Sequence, residues 1–258
     1  MRNILVIALA ATLAVMPAAA ARKKTVKKPA KQPAAASPAT APPAAAATPA
    51  LPDNSAALEA VLDQMDASSA NFRSAEAEFV WEQYQLVVNE TDEQKGKVYF
   101  VRHEKETHMA AEVTVPDRKY LVYTEGKVRF YQPRIDQVTE YDTANRKADV
   151  ESFLVLGFGG RGHDLPKSYE VKLLDNETVE GVKTAKLELI PKSPKLKNTF
   201  SRILLWVDTA RDISVKQQFF EPSGDYRNAY YRNIRLNEKV ADDVFKLKTT
   251  AKTKFVRP

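Results

Sequence analysis

Apolar and polar residues alternate along most of the chain from residue 74 to the C-terminus. Ala75, Ala77, Phe79 and Trp81 fall on one face of an extended segment, and Glu76, Glu78 and Glu82 on the other. Such alternation marks a half-buried strand. After a polar turn at 89–96, a second strand over 97–104 points Val98, Phe100 and Arg102 one way and Lys97 and His103 the other. Arg102 is thereby predicted on the apolar face, where an unpaired charge is expensive. It calls for a carboxylate or for backbone carbonyls at a helix end; the alternative is a strand-end side chain snorkelling to solvent. Further strands are predicted over 107–115, 119–124, 127–132, 135–141, 169–175, 182–190, 201–208, 212–221 and 226–236, with a last edge strand at 255–256. Glu125-Gly126, Gln132-Pro133, Asn176-Glu177, Glu180-Gly181 and Pro222-Ser223-Gly224 punctuate them as turns.

Two segments break this rhythm. Leu58, Val61, Leu62, Met65 and Phe72 recur at near-helical spacing, and Asp53-Asn54-Ser55 offers N-cap oxygens, so an amphipathic helix is predicted over 53–72. Residues 150–158 (VESFLVLGF) are apolar at close spacing and run into Gly157, Gly159, Gly160 and Gly162. They read as a short amphipathic helix on a glycine-rich hinge, or as a helix C-cap followed by a loop. GFGGRG is not a phosphate loop, because it lacks the Lys-Ser/Thr pair and the strand-to-helix setting. The pattern as a whole predicts a mainly β chain with some α: one strongly curved antiparallel sheet of about eleven strands. Two helices cannot tile so large an inner face. A curved sheet under a helical lid leaves an apolar cavity of the kind that takes lipid-like ligands.

Charge alters the picture only at the N-terminus. The formal net charge is +6, yet no acidic residue precedes Asp53 and seven of the 39 basic residues do, leaving 32 against 33 in the remainder. The rest of the chain is near neutral, which gives no reason to expect a nucleic-acid-binding face. Residues 1–21 have the parts of a cleaved signal peptide: Arg2, an apolar run over 4–15, then Pro17 and small alanines, with cleavage expected after Ala20 or Ala21. Residues 22–52 are Ala, Pro, Lys and Thr with almost nothing to bury, and read as a disordered linker. A single domain is predicted over 53–258.

Candidate chemistry is sparse. There is no cysteine, so disulfides, thiolate nucleophiles and thiolate metal sites are excluded. His103, His108 and His163 have no metal-ligand spacing with carboxylates, and no nucleophile elbow occurs. No catalytic residue, metal or cofactor is expected.

Gly126, Lys127, Tyr131, Pro133, Gln137 and Val138 in the 119–141 meander resemble a signature of the periplasmic outer-membrane lipoprotein carrier proteins, the LolA-like family. So do Trp206-Val207-Asp208, the Gly224-Asp225-Tyr226 hairpin, Asn233-Ile234 with Asn237, and Asp242 with Phe245, in the family's order. The resemblance covers about residues 53–258 and implies a half-barrel of about eleven strands with a helical lid over an apolar cavity. It implies a carrier that shields lipoprotein acyl chains, receives them from an inner-membrane lipoprotein-releasing transporter and delivers them to an outer-membrane lipoprotein receptor. In that family an inward Arg on an early strand bonds the lid and holds the empty form closed. Arg102 falls at the matching place, followed by His103 where the family usually has Pro.

The reading is therefore a monomeric, non-enzymatic periplasmic carrier of acylated lipoproteins, with no nucleic-acid partner. Phe79, Trp81, Val98, Phe100, Phe130, Leu187, Leu189 and Leu205 are expected to line the lipid-binding cavity. Arg102 would latch the lid, and Val150, Phe153, Leu154 and Leu156 would form it. The alternative is an envelope-stress sensor or a structural envelope protein with the same fold.

Overall fold

The computed structural model describes residues 54–258 apart from 105, 145–149, 151, 152 and 155. The expected signal peptide and linker lie outside the described residues, as do residues 151, 152 and 155 of the expected 150–158 helix. One long helix and one sheet dominate. Helix α1 spans Ser55–Asn71 and buries Leu62, Met65 and Ser69. The expected N-cap differs: Asn54 occupies the position but makes no side-chain cap bond. Its ψ of 16° keeps it out of the extended conformation that swings a capping oxygen over the free N–H groups.

Twelve strands form the sheet: β1 (Ser74–Gln85), β2 (Glu90–His103), β3 (Glu106–Val115), β4 (Lys119–Thr124), β5 (Lys127–Gln132), β6 (Gln137–Asp142), β7 (Tyr169–Val179), β8 (Val182–Pro191), β9 (Arg202–Asp208), β10 (Ser214–Phe220), β11 (Tyr226–Leu236) and β12 (Lys254–Val256). Their spatial order is β12-β6-β5-β4-β3-β2-β1-β11-β10-β9-β8-β7. Two meanders, β1–β6 and β7–β11, are thus joined by the antiparallel pairing of β1 with β11, which sets Trp81 opposite Ala229. The ends β12 and β7 do not meet, so the curved sheet stays open. The predicted edge strand is the twelfth and runs parallel to β6.

Bulges in β3, β7, β10 and β11 interrupt the registers and bend the strands, as an extra residue on one side of a ladder does. Gly96 sits opposite the β3 bulge, where any Cβ would run into the Glu112 carbonyl and the Phe79 ring. One expectation needs correcting here. Residues 90–95 are not a turn but the first part of β2; the turn is 86–89, with Asn89 at φ 53°. Asp92 and Gln94 pair across from Gln83 and Trp81, so a polar stretch that reads as loop is a ladder.

The core lies on the concave face in two patches. Over β1–β5, Phe79, Val98, Phe100, Leu121, Tyr123 and Phe130 pack with Val150, Leu154 and Phe158. Over β7–β10, Leu187, Leu189, Ile203 and Leu205 pack with Leu62 and Met65 of α1. Helix α1 covers one half of the concavity, and the 150–158 segment covers the other.

Candidate functional site

The segment entering the concavity is held by its carbonyls. Gln217 Nε2 donates to Leu156 O at 2.6 Å, and the Ser214 N–H donates to Gly157 O at 2.8 Å. Gly159 O accepts from Arg102 Nη2 at 2.5 Å and from Ser69 Oγ at 2.7 Å. Arg102 Nη1 donates to Ser69 O at 2.6 Å, in the last turn of α1. One guanidinium therefore ties the C-terminal end of α1, where helix carbonyls lack intrahelical partners, to the glycine-rich turn. Burial lowers the Arg102 pKa, while its side chain lies over the Phe72 ring at 5.3 Å. Of the partners open to Arg102 from sequence, the structure uses backbone carbonyls. Gly159 takes φ +75°, and a Cβ on it would overlap the Phe72 ring.

Beneath this segment lies a cavity walled by Trp81, Val98, Phe100, Met109 and Ala229 of the sheet and by Phe153, Leu154, Leu156 and Phe158 of the segment. Its volume is ≈ 50 Å³, room for a few waters against the roughly 300–1,000 Å³ of occupied ligand pockets. Phe158 stacks on Phe100 at 4.7 Å and meets Tyr231 edge-on, so the segment's side chains occupy most of the concavity themselves. Of the expected cavity residues, Trp81, Val98 and Phe100 wall this space. Phe79 and Phe130 sit in the β1–β5 core patch, and Leu187, Leu189 and Leu205 in the β7–β10 patch under α1. Of the expected lid residues, Phe153, Leu154 and Leu156 face the cavity, and Val150 is buried in the adjoining core.

Sequence reasoning missed the polar end of this wall. Tyr231, packed with Trp81 on the same core patch, donates from Oη to Gln217 Oε1 at 3.2 Å, and Gln217 holds Leu156 as above. Arg227 also lines the cavity and is buried. Strict alternation in β11 (Arg227, Ala229, Tyr231) was the available signal; polar side chains on that face hid it.

The outer edge of the segment is pinned to α1. The His163 ring nitrogens lie 2.9 Å from Glu59 and 3.1 Å from Asp66, and Arg161 Nη2 donates to Asp66 at 3.1 Å. Hydrogen bonds to Glu59 and then Asp66 raise the His163 pKa. Burial pushes Asp66 up, but hydrogen bonds from Arg161 and His163 outweigh it and hold the carboxyl below its usual range. With Asp63 beside Glu59 and with Asp164 and Lys167 on its own side, His163 faces a net acidic helix. Its contribution is complete below the ordinary His value near 6.5 and is lost as pH rises through the raised value; that of Asp66 is lost as pH falls through its lowered one. Amide protection of residues 161–165 is thus expected to drop as His163 deprotonates, and His163→Gln to remove that pH dependence. A His163 midpoint at or below about 6.5 by NMR titration would contradict this. Glu59, Asp63 and His163 place ligand atoms within 4.8 Å of one another. Both His163 nitrogens are already engaged, so the geometry suits an ion pair better than a metal site.

Residues 70–248 match the family model of the outer membrane lipoprotein carrier protein LolA. No curated protein sequence matches the chain. Among solved structures, an uncharacterized conserved protein from Thermus thermophilus is similar at 12% identity and a TM-score of 0.52, over 78% of this chain and 99% of that one. A LolA superfamily protein from Nitrosomonas europaea is 14% identical over 74% of this chain and 97% of its own, with a TM-score of 0.38. The MucA/MucB complex of Pseudomonas aeruginosa aligns at 13% identity and a TM-score of 0.46, over 74% of this chain and 61% of the matched one. With the family model spanning more than half of its length, the chain belongs to the outer membrane lipoprotein carrier protein LolA family.

Proposed function

We propose that this protein is a non-enzymatic periplasmic carrier that shields the acyl chains of lipoproteins, making room for them by lifting its own 150–159 segment. The observation that carries this reading is the segment itself. Phe153, Leu154, Leu156 and Phe158 fill the concavity almost completely, yet the turn that follows is tied down by hydrogen bonds to three carbonyls. An acyl chain entering in their place replaces apolar contact with apolar contact, at about 0.8 kcal/mol per buried CH₂. Arg102 is the latch in this scheme, and Phe153, Leu154 and Leu156 with Val150 are the lid. The described cavity wall offers no carboxylate, histidine or hydroxyl–base pair, which favours binding over catalysis. Family membership supports lipoproteins as cargo, taken from an inner-membrane lipoprotein-releasing transporter and passed to an outer-membrane lipoprotein receptor. Periplasmic placement rests on the signal-like residues 1–21; among the described residues no helix is long and apolar enough to cross a membrane.

The test is direct. The purified chain, freed of signal peptide, is expected to bind a diacylated lipopeptide in native mass spectrometry and to displace a fluorescent fatty-acid probe with it. Failure of both would overturn the carrier reading.

A further inference from the structure

The cavity is amphipathic along its length. Cross-strand registers order its wall into rows. Val98 and Phe100 lie towards one end; Trp81, Ala229 and Gln217 form a row further along. The next row is Phe219, Arg227 and Gln83, beside the 86–89 turn. The apolar end thus gives way to a polar one within a few residues of each strand.

Arg227 stands at the polar end and Gln94 one row in from it. Arg227 is 7% exposed and donates from Nε to Gln83 Oε1 at 3.0 Å. Glu221 stands 3.8 Å from its Nη2, beyond hydrogen-bond reach. Burial drives the Arg227 pKa down to about 10. Gln94, 2% exposed and paired across from Trp81, has an Oε1 with no hydrogen-bond partner. Arg102 offers the internal contrast, since both of its Nη atoms are bonded to carbonyls. A guanidinium buried on an apolar wall with one hydrogen bond, to a neutral amide, and only a loose ion pair with Glu221 is costly, and its fork is built for two parallel bonds to a planar or tetrahedral anion.

We propose that Arg227 receives the anionic headgroup, carboxylate or phosphate, of an amphiphile whose acyl chain occupies the cavity. The proposal rests on the acyl-chain reading above and adds a headgroup to it. With the chain lying against Val98, Phe100 and Met109, the headgroup reaches Arg227 at the polar end.

Three competitors of equal chain length separate the possibilities when titrated against a fluorescent fatty-acid probe: palmitate, palmitoyl lysophosphatidate and the neutral monopalmitoylglycerol. Palmitate or the lysophosphatidate, according to which anion the fork prefers, is expected to bind at least about tenfold tighter than the neutral lipid, the worth of one charge-assisted hydrogen bond. Arg227→Gln should abolish that difference and leave monopalmitoylglycerol unchanged, and Arg227→Lys should keep part of it. Equal affinity for all three overturns the role of Arg227 while leaving the acyl-chain reading intact; binding of none overturns both. The wild-type ranking decides the matter even if Arg227→Gln does not fold.

Discussion

Replacing Arg102 with methionine is expected to free the glycine-rich turn without unfolding the sheet. The substitution removes the bonds to Ser69 O at 2.6 Å and Gly159 O at 2.5 Å, while the Ser69 Oγ bond and the β1–β2 ladder remain. Charge-assisted bonds contribute about 1.5–3 kcal/mol each. Relief of the buried charge offsets part of that, so a net loss of roughly 2–3 kcal/mol is expected in the closed state. Amide exchange of residues 156–160 should then accelerate roughly 30- to 150-fold, with the β2 amides unchanged. Because apparent affinity scales with the population of the competent state, acyl-probe binding should tighten as the turn loosens. Unchanged exchange in that segment would remove the latch role from Arg102.

Gly159→Ala is expected to be the most damaging of the small substitutions. Gly159 is at φ +75° and a Cβ there would overlap the Phe72 ring. The backbone conformation costs an L-residue roughly 1–2 kcal/mol, and displacing a packed ring another 1–3 kcal/mol or so. A total of roughly 2–5 kcal/mol corresponds to a melting temperature lower by roughly 4–20 °C for a domain of this size. Gly126→Ala is the control, at φ +69° with nothing within 4 Å of the added Cβ. It isolates the backbone contribution. If Gly159→Ala is no worse than Gly126→Ala, the turn's close seating on Phe72 contributes nothing.

The hairpin of β1 and β2 illustrates what is legible in a chain and what is not. Alternation identifies Phe79, Val98, Phe100 and even Arg102 as inward-facing, because side-chain direction in a strand is a local property. The same hairpin's turn is not where polarity points, since a ladder can run through Asp92, Glu93 and Gln94 while the exposed bend is Leu86, Val87 and Val88. Composition marks polarity, whereas turns are defined by backbone conformation, here at Asn89. The candidate site divides in the same way. Its apolar wall could be read; its hydrogen bonds could not, because Leu156, Gly157 and Gly159 contribute main-chain carbonyls that every residue possesses.

Taken alone, the sequence determined the strand content, the inward faces, the α1 helix and the singular character of residues 150–158. It also placed a charge on the apolar face. Tertiary structure decided three further things: that β1 pairs with β11, that side chains of the 150–158 segment line the cavity beneath it, and that Arg227 meets that cavity from β11. These depend on contacts between residues distant in the chain, whose closeness follows from the order in which strands assemble. The period of two tells which way a side chain points; only the completed sheet decides what stands opposite it.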